Sequence, residues 1–192
     1  MKKLFFCTGT NCSGKSSIAK WFIENEPAPQ IIEFPECGSI VTVFPKFNLM
    51  IVGKYSAKTT SGGGDTIKKK IYTQTMMKEV WDRPENLFLE GYLIGTKVWI
   101  EDLLLINANG EREICFVLPN TSLETCFARI EGRSGKKRHE LKGNGQNVVS
   151  KHSGLLKFRE WLRAEKPQIR IIEPNTENES TQVVCNQLIN VQ

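Results

Sequence analysis

Residues Gly9-Thr10-Asn11-Cys12-Ser13-Gly14-Lys15-Ser16 follow the pattern G-x-x-x-x-G-K-[ST], and this constrains the chain more than any other feature. The pattern works only as a loop between a buried strand and a helix. Residues 4–8 form a short apolar run of strand type. Residues 15–26 carry Ile18, Ala19, Trp21, Phe22 and Ile23 as one apolar stripe, ended by Pro27 and Pro29. Glycines in such a loop let backbone amides wrap a β-phosphate. Lys15 brings a positive charge to the β- and γ-phosphates, Ser16 offers a hydroxyl to Mg²⁺, and the helix points its N-terminus at the anion. Gly9, Thr10, Asn11, Cys12, Ser13, Gly14, Lys15, Ser16 and Ser17 are therefore expected to bind ATP with Mg²⁺, with Lys15 also catalytic and Ser16 a metal ligand.

Further strands are expected at 31–34, 87–89, 114–118 and 169–172. Helices are expected at 66–82, 96–105, 122–133, 148–165 and 181–189. In the 66–82 helix, Ile67, Ile71, Met76, Met77 and Val80 should face inward. Residues 39–44 and 48–55, separated by Pro45-Lys46, read as a hairpin or as two extended segments. Strands alternating with helices imply parallel pairing and right-handed crossovers. The expectation is an α/β, three-layer P-loop NTPase fold of the nucleotide-kinase type, with a parallel sheet of about five strands. Ligands then bind beyond the carboxyl ends of the strands. A length of 192 residues fits one domain, 1–192, with a mobile basic lid at 133–147.

No apolar run approaches the roughly 20 residues that span a bilayer, and the stretch after Met1-Lys2-Lys3 is too short for a signal peptide. No membrane association and a cytoplasmic location are expected. The six cysteines lack any Cys-x-x-Cys spacing and only two histidines are present, so reduced thiols are expected rather than zinc.

Net charge is +5, but its distribution says more. Between positions 129 and 170 stand twelve Lys/Arg and four Asp/Glu, a local +8 that leaves −3 for the rest. Such bias points to phosphates or a polyanion. Arg129 and Arg133 share one helix face at i, i+4 and precede Lys136-Lys137-Arg138, a set suited to neutralising a transferring phosphoryl group. Glu90 ends an apolar strand, where a carboxylate holds Mg²⁺ through water. A kinase also needs a carboxylate to take the proton of the attacking hydroxyl. Glu33, Glu36, Asp65 and Glu90 are the candidates, and Asp65 follows three glycines that permit close approach of a substrate.

Several segments together resemble the phage P-loop kinases that phosphorylate 5-hydroxymethyluracil in DNA. They are the P-loop, Val52-Gly53-Lys54-Tyr55, Gly63-Gly64-Asp65-Thr66-Ile67 and Leu89-Glu90-Gly91-Tyr92-Leu93-Ile94, then residues 118–130 and Asn147-Val148-Val149-Ser150-Lys151-His152. The resemblance implies a hydroxymethyl acceptor on a DNA base, Asp65 as a base, and Glu90 as a metal or catalytic carboxylate. A base in a duplex must be flipped out, or a single strand used. DNA phosphates would meet Lys54, Lys58, Lys68 with its neighbours Lys69 and Lys70, and the lid residues Lys136, Lys137 and Arg138. Tyr55, Tyr92 and Trp99 are candidates either to stack on a base or to fill the core. Competing readings are a kinase of free nucleosides or nucleoside monophosphates, and a nucleotide-binding switch or DNA-binding accessory protein without acceptor chemistry.

Overall fold

The computed structural model describes residues 1–55, 62–67, 70–91 and 97–190. β1 (Lys2–Cys7) lies inside a seven-stranded sheet. β5 (Asn86–Glu90) and β6 (Arg112–Val117) flank it in parallel, with Cys7 in register with both Glu90 and Val117. Beyond β6 runs β7 (Arg170–Ile172), and beyond β5 runs β4 (Leu49–Val52), both parallel to their neighbours. β3 (Ser39–Phe44) and β2 (Gln30–Phe34) complete the edge as antiparallel strands. The order is β2-β3-β4-β5-β1-β6-β7.

Alternation along β1 sends Leu4 and Phe6 to one face and Phe5 and Cys7 to the other. The first face packs on α2 (Lys70–Glu79), α3 (Lys97–Ile106) and α5 (Gln146–Glu165), through Met76, Ile100, Leu103, Phe158 and Leu162. The second packs on α1 (Lys15–Asn25) and α6 (Thr181–Ile189), through Ile18, Phe22, Val184 and Leu188. These are the three expected layers. Phe5, Phe6, Phe88 and Phe116 are at most 2% exposed, and each such burial contributes about 1.5–3 kcal/mol. α4 (Leu123–Ser134) meets the start of α5 in a small cluster of Cys126, Ile130 and Val148.

The parallel part of the sheet has the expected five strands, but residues 31–34 do not belong to it. The links from β2 to β3 and from β3 to β4 are four-residue turns, far too short for the crossover that parallel pairing requires. The two turns repeat one design. Pro35 opens the first, and Gly38 at φ 63° closes it with its N–H on the Pro35 carbonyl at 3.0 Å. Pro45 and Asn48, at φ 49°, do the same at 3.2 Å. Residues 39–52 therefore form the hairpin rather than two separate segments.

The helix expected over 66–82 is shorter. A 3₁₀ turn occupies Gly64–Thr66, and α2 stops at Glu79. Its end is set from outside by Arg112, which is 1% exposed and donates to the carbonyls of Val80, Trp81, Arg83 and Glu85. Ile71 faces solvent at 58% exposure instead of the core. The six cysteines are free thiols and all but Cys12 are buried. Among the described residues no helix is long and apolar enough to cross a membrane.

Candidate active site

The chain reverses direction across the sheet at β1, whose neighbours β5 and β6 come later in sequence. A crevice opens at such a point beyond the strand ends. The loop from Gly9 to Gly14 fills it. The Lys15 side chain is buried beneath the loop, with Nζ donating to the Thr10 carbonyl at 2.9 Å. A Cβ on Gly9 would stand 2.7 Å from Ser13 Oγ, so a side chain there would displace that hydroxyl. Gly14 (φ 97°) starts α1 and accepts from the Ser17 and Ile18 amides at 3.1 and 3.3 Å. Cys12 holds φ 61°, an uncommon value for a residue with a side chain. Two threonines brace the loop from below: Thr121 Oγ1 and Thr176 Oγ1 reach the Ser13 carbonyl at 3.1 and 2.9 Å. Ser13 Oγ itself is buried and has no partner among the described residues, which suits a cradle built for an anion. Ser17 is exposed on the first turn of α1.

Strand register brings Glu90 to the loop. It ends β5 opposite Cys7, 2% exposed, and accepts from Ser16 Oγ on Oε1 at 3.2 Å and from the Tyr55 hydroxyl on Oε2 at 3.3 Å. Burial pushes its carboxyl up to about 7. The nearby Lys15 charge opposes the rise, the Asp65 charge adds to it, and the two hydrogen bonds hold it down. Ser16 and Glu90 thus set two oxygens side by side. Among the described residues no group of three or more acidic, His or Cys side chains forms a cation cage. Few protein oxygens beside a phosphate cradle fit Mg²⁺, which keeps waters and binds through one or two carboxylates and substrate phosphates.

Asp65 arrives by backbone contact. Gly53 (φ 102°) lies so close to Gly63 that a Cβ would stand 2.5 Å from the Gly63 carbonyl. Lys54 bridges to Gly63, whose amide donates to the Lys54 carbonyl at 3.1 Å. A Cβ on Gly63 (φ 63°) would fall 2.9 Å from Glu90 Oε2, and one on Gly91 would fall 2.7 Å from Asp65 Oδ1. The glycines therefore let the Asp65 turn lie directly over Glu90-Gly91, with Asp65 exposed at its crest. Glu33 and Glu36 are also exposed, but β3 and β4 separate β2 from β5, a distance of three strand spacings or roughly 14 Å.

The cations distribute unevenly. Arg129 is engaged with the loop's own frame, donating to the Cys12 carbonyl at 3.1 Å and to the Thr176 carbonyl. Arg133, Lys136, Lys137 and Arg138 are exposed on the lid side. Residues 138–145 pack on Phe127: the Arg138 guanidinium stands 4.5 Å from its ring, and a Cβ on Gly145 would be 2.5 Å from it. Elsewhere the +8 excess is partly neutralised in place. Arg159 and Arg163 pair with Glu173, and Arg170 stands 3.7 Å from Glu113. Lys54 is exposed. Lys58, Lys68, Lys69 and Tyr92 lie outside the described residues. Trp99 is 7% exposed in the core, so it is no stacking platform, and Tyr55 uses its hydroxyl on Glu90 with its ring against Gly62.

Sequence reasoning missed three supports of the loop: Thr121, Thr176 and Lys151, whose Nζ reaches Asn11 Oδ1 at 3.2 Å. All three come from distant segments; Thr121 and Lys151 lie in segments that carry the family resemblance, whereas nothing in the sequence marked Thr176.

The family model described as 5-hmdU DNA kinase matches residues 1–163, a stretch that includes the loop, Asp65, Glu90, the lid and most of α5. The chain belongs to the 5-hmdU DNA kinase family. Two curated relatives agree. The 5-hmdU DNA kinase 1 of Salmonella phage ViI is 32% identical over 142 residues, covering 69% of this chain and 60% of that protein. The 5-hmdU DNA kinase of Bacillus phage SP10 is 26% identical over 139 residues, 70% of this chain and 21% of that protein. The match thus spans three-fifths of one relative and about a fifth of the other. A gluconokinase from Sinorhizobium meliloti 1021 shares the fold, with a TM-score of 0.50 at 14% identity, covering 97% of this chain and 89% of that one.

Proposed function

We propose that the protein is an ATP- and Mg²⁺-dependent kinase that phosphorylates the 5-hydroxymethyl group of 5-hydroxymethyluracil in phage DNA. One observation carries this reading: in a member of the 5-hmdU DNA kinase family, the glycine-built turn bearing Asp65 lies over Glu90 and beside the phosphate loop. A hydroxyl delivered beside Asp65 would also lie next to the donor site, the arrangement that phosphoryl transfer needs. The 192 residues act as one catalytic domain with a lid at 133–147, and the reaction takes place in the cytoplasm of the infected cell.

In this mechanism the loop amides and Lys15 hold the β- and γ-phosphates. Ser16 and Glu90 (via water) would hold Mg²⁺, which would supply charge neutralisation of the phosphates. Asp65 accepts the proton of the hydroxymethyl oxygen. That oxygen forms its bond to the γ-phosphorus as the bond to the bridging oxygen breaks, and ADP leaves. Arg133 and the lid cations offset charge on the transferring group, while Arg129 keeps the loop in shape. Lys54, Lys58, Lys68, Lys136, Lys137 and Arg138 meet the DNA backbone, and the modified base enters flipped or from a single strand. A monomeric nucleotide would need only one or two of these cations.

The test is γ-labelled ATP with DNA containing 5-hydroxymethyluracil, with plain DNA, and with free hydroxymethyl-nucleotide. Label is expected only in the first, on the base after digestion to nucleosides. Label in the free nucleotide would favour a nucleotide kinase, and label at a 5′ end would make the protein a polynucleotide end kinase. Normal turnover by a Lys15→Ala protein would show that the loop is not the donor site.

A further inference from the structure

Tyr55 stands where the Glu90 carboxylate meets the Asp65 turn. It follows Gly53 and Lys54 out of β4, and its half-buried ring packs against the core cluster on the α1 side of the sheet. The ring faces Gly62, where a Cβ would stand 2.6 Å from Tyr55 Cδ1. The hydroxyl lies against Gly63, where a Cβ would stand 2.5 Å from the oxygen. The same hydroxyl donates to Glu90 Oε2 at 3.3 Å, while Oε1 of that carboxylate accepts from Ser16 in the phosphate loop. One side chain therefore touches Glu90 with its tip and the glycines before Asp65 with its flank. From Gly63 onward the turn holds itself. The Thr66 amide and hydroxyl donate to the Gly63 carbonyl at 3.1 and 2.6 Å, and the Ile67 amide donates to the Gly64 carbonyl at 3.0 Å. Asp65 stands inside that closed turn, so its place follows from where Gly63 sits.

We propose that Tyr55 is a positioning residue for phosphoryl transfer, a post that holds the Asp65 turn at a set distance from the donor carboxylate. This rests on the kinase reading above. In this role Tyr55 acts through Asp65 and not on the reacting atoms. The Lys54–Gly63 bridge ties the two backbone segments to each other, and Tyr55 ties both to Glu90. A site of this kind works only when its groups are held to within about 0.5 Å by side chains that packing has locked. A displacement of about 1 Å can cost on the order of 10² in rate. The phosphate loop keeps its own amides, Lys15 and the Ser16–Glu90 contact, so ATP binding does not depend on the post.

The experiment has one readout in the free protein and one in turnover, each for wild type, Tyr55→Phe and Tyr55→Leu. By NMR amide exchange without ligands, Thr66 and Ile67 in Tyr55→Leu should exchange about 10- to 100-fold faster. Ser17 and Ile18 in the first turn of α1 should keep wild-type rates. With saturating ATP and DNA containing 5-hydroxymethyluracil, Tyr55→Leu should slow transfer by about 10²-fold, with ATP affinity changed by less than about threefold. In an Asp65→Asn background the same substitution should cost less than about threefold, because the group it positions is gone. Tyr55→Phe keeps the ring and loses the Glu90 bond, so it should be about 3- to 10-fold slower than wild type; it carries the test if Tyr55→Leu unfolds. Equal losses in both backgrounds, or unchanged exchange at Thr66 and Ile67, would overturn the proposal and leave Tyr55 as a core residue. Wild type that labels no DNA would instead overturn the kinase reading, and faster exchange at Thr66 and Ile67 in the variants would still uphold Tyr55 as the support of that turn.

Discussion

Removing the Glu90 charge should stabilise the protein while destroying its activity. Glu90 is 2% exposed, and burial holds its carboxyl at about 7 against an ordinary 4.5. The folded state therefore binds a proton that the unfolded state has released over that interval, and stability falls as pH rises through it. The interval from 4.5 to about 7 corresponds to about 3 kcal/mol, fully present below pH 4.5 and lost by about pH 8. Glu90→Gln resembles the protonated carboxyl in shape and cannot ionise. Urea unfolding of wild type and Glu90→Gln from pH 4 to pH 8.5 isolates this group, because titrations not coupled to Glu90 cancel in the difference. The curves should coincide near pH 4 and part with rising pH, until the variant is about 3 kcal/mol more stable at pH 8. Mg²⁺ with nucleotide should narrow the gap, since a cation at Ser16 and Glu90 favours the carboxylate. Parallel curves across the whole range would refute this reasoning and mean that water reaches Glu90 freely.

Asp65→Asn should leave ATP affinity unchanged and slow phosphoryl transfer by about 10²- to 10⁴-fold in a labelled-ATP assay, as for loss of a positioned base; unchanged turnover would move the role to Glu90. Replacing Lys136, Lys137 and Arg138 together by alanine should weaken DNA binding and reduce the log–log salt slope by about one unit for each DNA phosphate no longer neutralised. Arg112→Met should lower unfolding free energy by about 3 kcal/mol or more in urea titrations, because it strands buried carbonyls at the end of α2.

The loop of residues 9–16 was legible because its pattern is local: eight consecutive residues make it, so the spacing alone marks it. Glu90 and Asp65 were legible for a related reason, a carboxylate at a strand end and one behind a run of glycines. The structure adds why the glycines matter, since side chains at Gly53, Gly63 and Gly91 would force the Asp65 turn away from Glu90. Strand direction was not legible in the same way. Residues 31–34 look like any buried strand, and only the four-residue links on either side of β3 make antiparallel pairing obligatory. The signal was nevertheless there, in Phe34-Pro35 before Gly38 and Phe44-Pro45 before Asn48, two turns of one type ten residues apart.

Charge was the least legible property, because net charge counts residues without their partners. Arg159, Arg163 and Arg170 inflate the +8 segment, yet pair with Glu173 and Glu113. The i, i+4 spacing of Arg129 and Arg133 correctly put them on one face but could not tell which carbonyls that face would meet. Arg129 lies 117 residues from its Cys12 acceptor, and Lys151 lies 140 from Asn11. Both partners are chosen by how α4 and α5 pack beside β1, and that packing depends on the whole core. This explains the division of labour among the cations. Those fixed by tertiary contacts, Lys15, Arg129 and Lys151, surround the loop, where in the proposed kinase nucleotide geometry would be the same in every turnover. Those left exposed, Arg133, Lys136 and Lys137, would in the proposed kinase face a long and variable polyanion. Rigid positioning suits the first task and adaptable side chains the second.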